Sequence, residues 1–167
     1  MCGDWVVGVG SKAQGTTGRL VFAMEVGEKL TFDEYWTDAR FQRKKADRRG
    51  SLKYRYGDNV YRRADDGQWL QSDCRHSLDS GQANEAHVSR DTGADAVLVS
   101  SRFTYWGGDG PQLPSEFADW DGINLGEPGR DHTYRSYTPE MIAAFIAWVD
   151  QLPAGYQGPP ADWPKTN

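Results

Sequence analysis

The sequence predicts an α+β fold with a β-rich core, and three observations predict it. Short apolar runs closed by glycine or turn residues recur up to Trp106. A capped segment at Thr31 starts a short helix, and an amphipathic stretch after Thr138 starts a second. The strands should form a mostly antiparallel, curved sheet or a partly open β-barrel. The short helix near 32–38 and the C-terminal helix near 139–152 should flank it.

Trp5-Val6-Val7-Gly8-Val9 is an apolar run closed by Gly10 and reads as a buried strand. Ser11 to Gly18 is rich in Gly, Ser and Thr and reads as a loop. Leu20 to Val26 is then a second strand, antiparallel to the first. Thr31-Phe32-Asp33-Glu34 has capping-box spacing: the Thr hydroxyl takes the backbone N–H three residues on, and the Glu returns the bond. A helix through Tyr35 and Trp36 should follow. Phe41 to Lys53 shows no period and reads as a loop. Asn59 to Arg62 reads as a strand, Asp65-Asp66-Gly67 as a turn, and Trp69-Leu70 as the start of the partner strand.

From Asp73 to Gly93 Ser, Asp, Asn and Gly dominate, which predicts one long loop, and long loops are often functional. Ala96 to Ser100 and Phe103 to Trp106 read as strands. Thr138-Pro139-Glu140 combines a cap, a proline at the first helical position and an acid near the positive end of the dipole. In the helix that follows, Met141, Ile142, Phe145, Ile146, Trp148, Val149 and Leu152 should form the core stripe. Residues 1–152 are expected to form one domain without internal repeats, and 153–167 a Pro/Gly-rich irregular tail.

A chain of 167 residues buries roughly 70% of its unfolded surface, so it has a real core. Only 38% of residues are apolar, but seven Trp, eight Tyr and six Phe supply large buried areas. Net charge is −5, unevenly spread. Ten of the nineteen Lys/Arg fall between Arg40 and Arg63, against only Asp47 and Asp58. Such a segment is either an electrostatic footprint for phosphates or a solvated charged face. The chain lacks a run of 18 apolar residues, a signal-peptide pattern at its start and, with only Cys2 and Cys74, a disulfide framework. A reduced, cytoplasmic protein without a membrane partner is expected.

Gly8-Val9-Gly10 follows a strand but lacks the third glycine and the helix of a dinucleotide fingerprint, and Gly10-Ser11-Lys12 lacks the P-loop order. Asp91-Thr92-Gly93 is the aspartic-protease tripeptide. Val88-Ser89-Arg90 precedes it, where a proton-sharing dyad needs an apolar strand. Cys74, His76, His87 and His132 have no metal-ligand spacing, so no metal and no other cofactor is expected, and nothing orients a Cys74/His nucleophilic pair. Asp73 to Ser77, with Asp91 and Asp95, supply either an acid/base site or turn and cap residues. Tyr54, Tyr56 and Tyr61 lie inside the basic segment, with Trp36 and Trp69 nearby. Cations beside aromatic faces are what single-stranded or flipped bases need.

Five stretches carry a resemblance. They are Gly3-Asp4-Trp5-Val6-Val7-Gly8-Val9-Gly10-Ser11-Lys12, Glu28 to Trp36, Tyr56-Gly57-Asp58-Asn59-Val60-Tyr61, Arg75-His76-Ser77, and Arg90 to Leu98. In this order they resemble the nucleotide-modification-associated domain family of the second type, from Gly3 to about Gly108. That family is associated with bacterial and phage systems that modify DNA bases, so the resemblance implies a nucleic-acid-modification context rather than a reaction. It implies Ser11, Lys12, Asp58, Asn59, His76, Ser77, Asp91 and Asp95 as candidate site residues. Members of the family carry more chain before the Gly-Asp-Trp segment, so either the true start lies upstream or this member lacks a strand; a missing strand would expose a sheet edge, with a homodimer or lower stability as the expected result. More distantly, the order of elements is similar to the PUA-like superfold with its ASCH and EVE branches, small barrels that bind RNA or modified bases. Fold alone does not set function.

The leading expectation is a binding module for a nucleotide or a modified base. Trp36, Tyr56, Tyr61 or Trp69 would stack on it. Lys12, Arg43, Lys44 and Lys45 would meet phosphate, and Asp58, Asn59 and His76 would read polar edges. The alternative is an enzyme acting on a nucleotide with Asp58, His76 or Asp91 as acid/base. A third is an accessory protein acting by protein contact. Binding predicts salt-sensitive affinity, an enzyme a pocket with a perturbed titrating group, and protein contact an exposed apolar patch.

Overall fold

The computed structural model describes residues 2–126 and 137–160. In chain order the elements are β1 (Trp5–Val9), β2 (Leu20–Glu25), β3 (Glu28–Leu30), α1 (Phe32–Thr37), α2 (Leu52–Arg55), β4 (Tyr61–Arg63), β5 (Trp69–Gln71), α3 (Glu85–Asp91), β6 (Val97–Val99), β7 (Arg102–Tyr105), α4 (Pro139–Val149) and β8 (Gly155–Tyr156). The fold is α+β. One sheet has the order β1-β2-β7-β8, and β3 with β6 and β4 with β5 form two ribbons. All pairings are antiparallel except β7 with β8. Among the described residues no barrel closes, because β1 and β8 end the sheet without meeting and each ribbon holds only two short strands. No described helix is long and apolar enough to cross a membrane.

Backbone contacts group the chain into two units, Met1–Gly27 with Ser100–Asn167, and Glu28–Val99. The first holds the four-stranded sheet. Val7 lies opposite Ala23, and Ala23 opposite Thr104, so the apolar strands stack in register. Thr138 caps α4 by accepting from Met141 N at 3.2 Å. Met141, Phe145 and Val149, spaced four apart, bury one helix face with Leu20, Ala23, Phe117 and Leu125. The helix ends at Val149 rather than at Leu152. Ile142, expected in the core stripe, is exposed because it falls beside that face. Arg102 ties β7 to β2 and α4, 2.8 Å from Glu25 and 2.6 Å from Asp150. The Pro-rich stretch after Leu152 is not wholly irregular, since β8 lies in it; residues 161–167 lie outside the described residues.

The second unit holds the short helices α1, α2 and α3 with the β3–β6 and β4–β5 ribbons. Thr31 forms the expected capping box: its hydroxyl accepts from Glu34 N, and Glu34 returns the bond to Thr31 N at 2.7 Å. Val60, Tyr61, Cys74 and Val88 make its core; Phe32 and Trp69 pack against it, and the Phe32 ring stands edge to face with both Tyr61 and Trp69. Two stretches expected as loop are partly helical. Phe41–Lys53 contains most of a 3-10 turn over Ala39–Lys44 and the start of α2, and Asp73–Gly93 contains α3. Each helix is under two turns or just at two, too short for a period to show. A single buried anchor, Phe41 or Val88, holds the turn and α3.

Candidate functional site

The Glu28–Val99 unit gathers most of the candidates into two clusters. The first is centred on Trp36, half-buried on α1. Lys45 Nζ lies 3.9 Å from the centre of its ring and the Arg62 guanidinium 5.1 Å, so two cations face one indole. Local folding puts them there. Lys45 bridges to Asn59, and Asn59 N donates to Lys44 O at 3.0 Å. Gly57 allows this approach, since a Cβ there would collide with the Lys44 carbonyl and come within 2.8 Å of Ala46 N. Arg62 shares the outer face of the hairpin with Leu70, its partner across the ribbon.

Asn59 is 1% exposed and works inward. Its amide donates to Tyr35 O at 3.0 Å and to Phe41 O at 3.4 Å, tying α1 to the turn that carries Lys44 and Lys45. Its Oδ1 is buried without a partner among the described residues. Asp58 accepts from Tyr35 OH at 2.8 Å and pairs with Lys44 Nζ at 3.0 Å. Burial, and then the Asp58 carboxylate, push the Tyr35 phenol well up, so it stays a donor.

The second cluster runs from β4 to α3. The Tyr61 ring is buried; its hydroxyl donates to Asp91 Oδ2 at 2.7 Å and accepts from Gln71 Nε2 at 3.2 Å. Gln71 in turn accepts from Asn84 N, where α3 begins. Partial burial pushes the Asp91 carboxyl up, but hydrogen bonds from Arg90 and Tyr61 outweigh it and hold it below its ordinary 3.8. Burial likewise raises the Tyr61 phenol. His87 Nδ1 lies 3.0 Å from His76 O, and a carbonyl only accepts, so that nitrogen carries the proton. The two imidazoles stand 5.9 Å apart. His87 stands apart from the site residues expected from the sequence; only its place on α3, beside His76, brings it here.

Tyr61→Phe should therefore cost about 1–2 kcal/mol at neutral pH, the worth of a hydrogen bond to a charged group less its hydration. The Asp91 carboxyl is depressed in the folded state, so its contribution is present above the ordinary carboxylate value and lost as pH falls through the folded one. Urea unfolding at pH 7 and pH 3 should show the wild-type advantage narrowing at acid pH; an unchanged gap counts against a charged Asp91 partner.

The remaining candidates are spread out. Ser77 is buried, accepts from Cys74 N at 3.1 Å and stands 2.8 Å from Cys74 O and 3.0 Å from Asp73 Oδ1. Cys74 is fully buried, with Sγ 3.4 Å from His76 N. Trp69 is half-buried beneath the Arg63 guanidinium at 3.9 Å. Tyr56 is half-buried and Arg43 exposed on the Ala39–Lys44 turn. Asp95 accepts from Phe32 N at 3.0 Å and so anchors the start of α1. Ser11 and Lys12 belong to the other unit, in the loop between β1 and β2. His132 lies outside the described residues. Among the described residues no three His, Cys, Asp or Glu side chains are grouped to hold a metal ion. Two surface depressions, one beside Gln112 and Asn124 and one beside Trp120, are lined by none of the candidates.

No curated protein and no solved structure matches this chain. The family model for nucleotide modification associated domain 2 does match, and it continues past Trp106, where the residue-level likeness thins. Since that match covers residues 1–167, the chain belongs to the nucleotide modification associated domain 2 family.

Proposed function

We propose that the Glu28–Val99 unit is a binding module for a nucleotide or a modified base, acting in DNA modification. The base stacks on Trp36, and its phosphate is met by Lys45 and Arg62. The observation that carries this reading is the indole flanked by two cations that have no carboxylate partner among the described residues. An aromatic face is sequence-tolerant for bases, and cations beside it suit the attached phosphate. Lys44 is the weaker contributor, because Asp58 already holds it and a phosphate would have to compete. Asn59 and Tyr61 act from below, positioning the Trp36 cluster and α3 respectively. For the enzyme alternative, Asp91 is a poor proton donor: it is ionised and ion-paired to Arg90 at 2.7 Å.

Fluorescence anisotropy with labelled oligonucleotides, and competition by free nucleotides, tests the reading. Trp36→Ala should weaken binding by about tenfold, since one base–aromatic stack is worth about 1–3 kcal/mol. Arg62→Gln, which keeps the hairpin register, should weaken it by a smaller factor. Thermal melts confirm that both variants fold. Equal affinity of wild type and Trp36→Ala for every ligand would remove Trp36 from the site.

A further inference from the structure

We infer that the ligand of this face is an unpaired nucleic-acid strand, several nucleotides long, rather than a free nucleotide or a duplex. This rests on the base-binding reading above. The Glu28–Val99 unit holds thirteen Lys/Arg and thirteen Asp/Glu, so it has no net charge to draw a polyanion; what matters is how the charges are matched. Four of the ten cations between Arg40 and Arg63 are matched internally. Arg40 binds Glu28 and Asp38, Lys44 binds Asp58, and Arg63 lies 3.8 Å from Asp95. Arg48 binds Asp73 and the carbonyls of Leu78 and Asp79, which pins the 73–82 loop.

Six cations are left without a carboxylate among the described residues. Lys45 and Arg62 lie on Trp36, and Arg43, Arg49, Lys53 and Arg55 have no side-chain hydrogen bond, ion pair or ring contact among the described residues. Lys45, Arg49, Lys53 and Arg55 come from one folded excursion of the chain, closed by Asp47 N to Tyr54 O at 2.9 Å and Asn59 N to Lys44 O at 3.0 Å, and Arg43 and Arg62 flank it in sequence. One nucleotide, with its phosphates at a single point, covers one or two such cations. A strand with a phosphate at every nucleotide covers more, and each contact releases a counterion.

Two observations favour an unpaired strand over a duplex. Stacking on Trp36 requires a base that is out of its own stack. The helices here are also short: α1 has six residues and α2 four, about 9 and 6 Å of helix, too little to lie along a major groove. The shared chemistry is a phosphodiester chain with accessible bases, whether deoxyribose or ribose.

The test is anisotropy with a labelled pyrimidine decamer of DNA, its RNA counterpart, the DNA duplex and a free nucleoside triphosphate as competitor, each across a salt series. A decamer of either sugar should bind with a slope of log affinity against log salt of about −3 to −4, as four to six single-strand phosphate contacts give. The duplex should bind at least tenfold more weakly. Arg43→Glu with Lys53→Glu should flatten the slope by about 1 to 1.5 while the melting temperature holds. Preference for the triphosphate with a slope near −1, or equal affinity for the duplex, overturns the inference and leaves the base-binding reading standing. Indifference of every ligand to Trp36→Ala overturns that reading itself.

Discussion

Asn59→Asp is expected to cost about 3–5 kcal/mol of stability at neutral pH. Asn59 is 1% exposed and its amide nitrogen donates to two carbonyls, Tyr35 O and Phe41 O. A carboxylate in its place has no hydrogen to give. It would set a negative charge against two carbonyl oxygens and remove the bond that the amide gives each of them. The cost should depend on pH. Burial raises the folded pKa of the new carboxyl above its unfolded value, so the folded form holds more protons. The penalty is smallest below the unfolded value and grows as pH rises toward the folded one. Urea unfolding of variant and wild type at pH 3 and pH 7 should show the gap widening with pH. A gap below about 1 kcal/mol at both would mean that Asn59 does not hold α1 to the Ala39–Lys44 turn. Because Trp36 and Lys45 stand on those two segments, binding should fall with stability in this variant.

Phe117→Ala should cost a similar amount, about 3–5 kcal/mol, in the sheet unit. Phe117 is fully buried. Its ring lies parallel to Trp120 with centres 5.9 Å apart, and meets Phe145 edge-on at 5.6 Å and Trp148 at 6.2 Å. Removing it leaves a cavity between α4 and the 115–125 segment, whose backbone is tied to the same residue through Leu125 N to Phe117 O at 2.8 Å. Near-ultraviolet circular dichroism should lose intensity, since the two tryptophans lose their rigid neighbour. Phe117→Leu, which fills most of the volume, should cost about half as much. Equal and small losses for both would place Phe117 outside the core.

Much of the fold could be read from local chemistry. The Thr31 box and the Thr138-Pro139 start are satisfied by residues three apart, so the sequence carries both partners. Likewise Asp65-Asp66-Gly67 needs only its own backbone to turn, with Gly67 at a positive φ of 83°. The strands around Val7 and Ala23 follow from apolar runs. What lacked a hydrophobic period was α3 and the Ala39–Lys44 turn: seven and six residues are too few for one, and beyond the Asn84 and Asp38 caps each element rests on one buried anchor, Val88 or Phe41.

The family context and the composition of the candidate face were legible from the residues themselves: the Arg40–Arg63 charge run, its aromatics, and the Gly57-to-Tyr61 stretch all stand in the primary structure. Which aromatic is available was decided only by tertiary contacts. Tyr61 turns inward because its hydroxyl finds Asp91, thirty residues on, whereas Trp36 keeps a ring face for Lys45 and Arg62. Which cations lack a carboxylate was decided the same way. Arg48 and Lys44 look alike in the sequence, and the partners that neutralise them, Asp73 and Asp58, are brought near by the fold. Hydrophobic pattern and capping act over a few residues; charge matching and burial act across the folded unit, and no single stretch of sequence contains both halves.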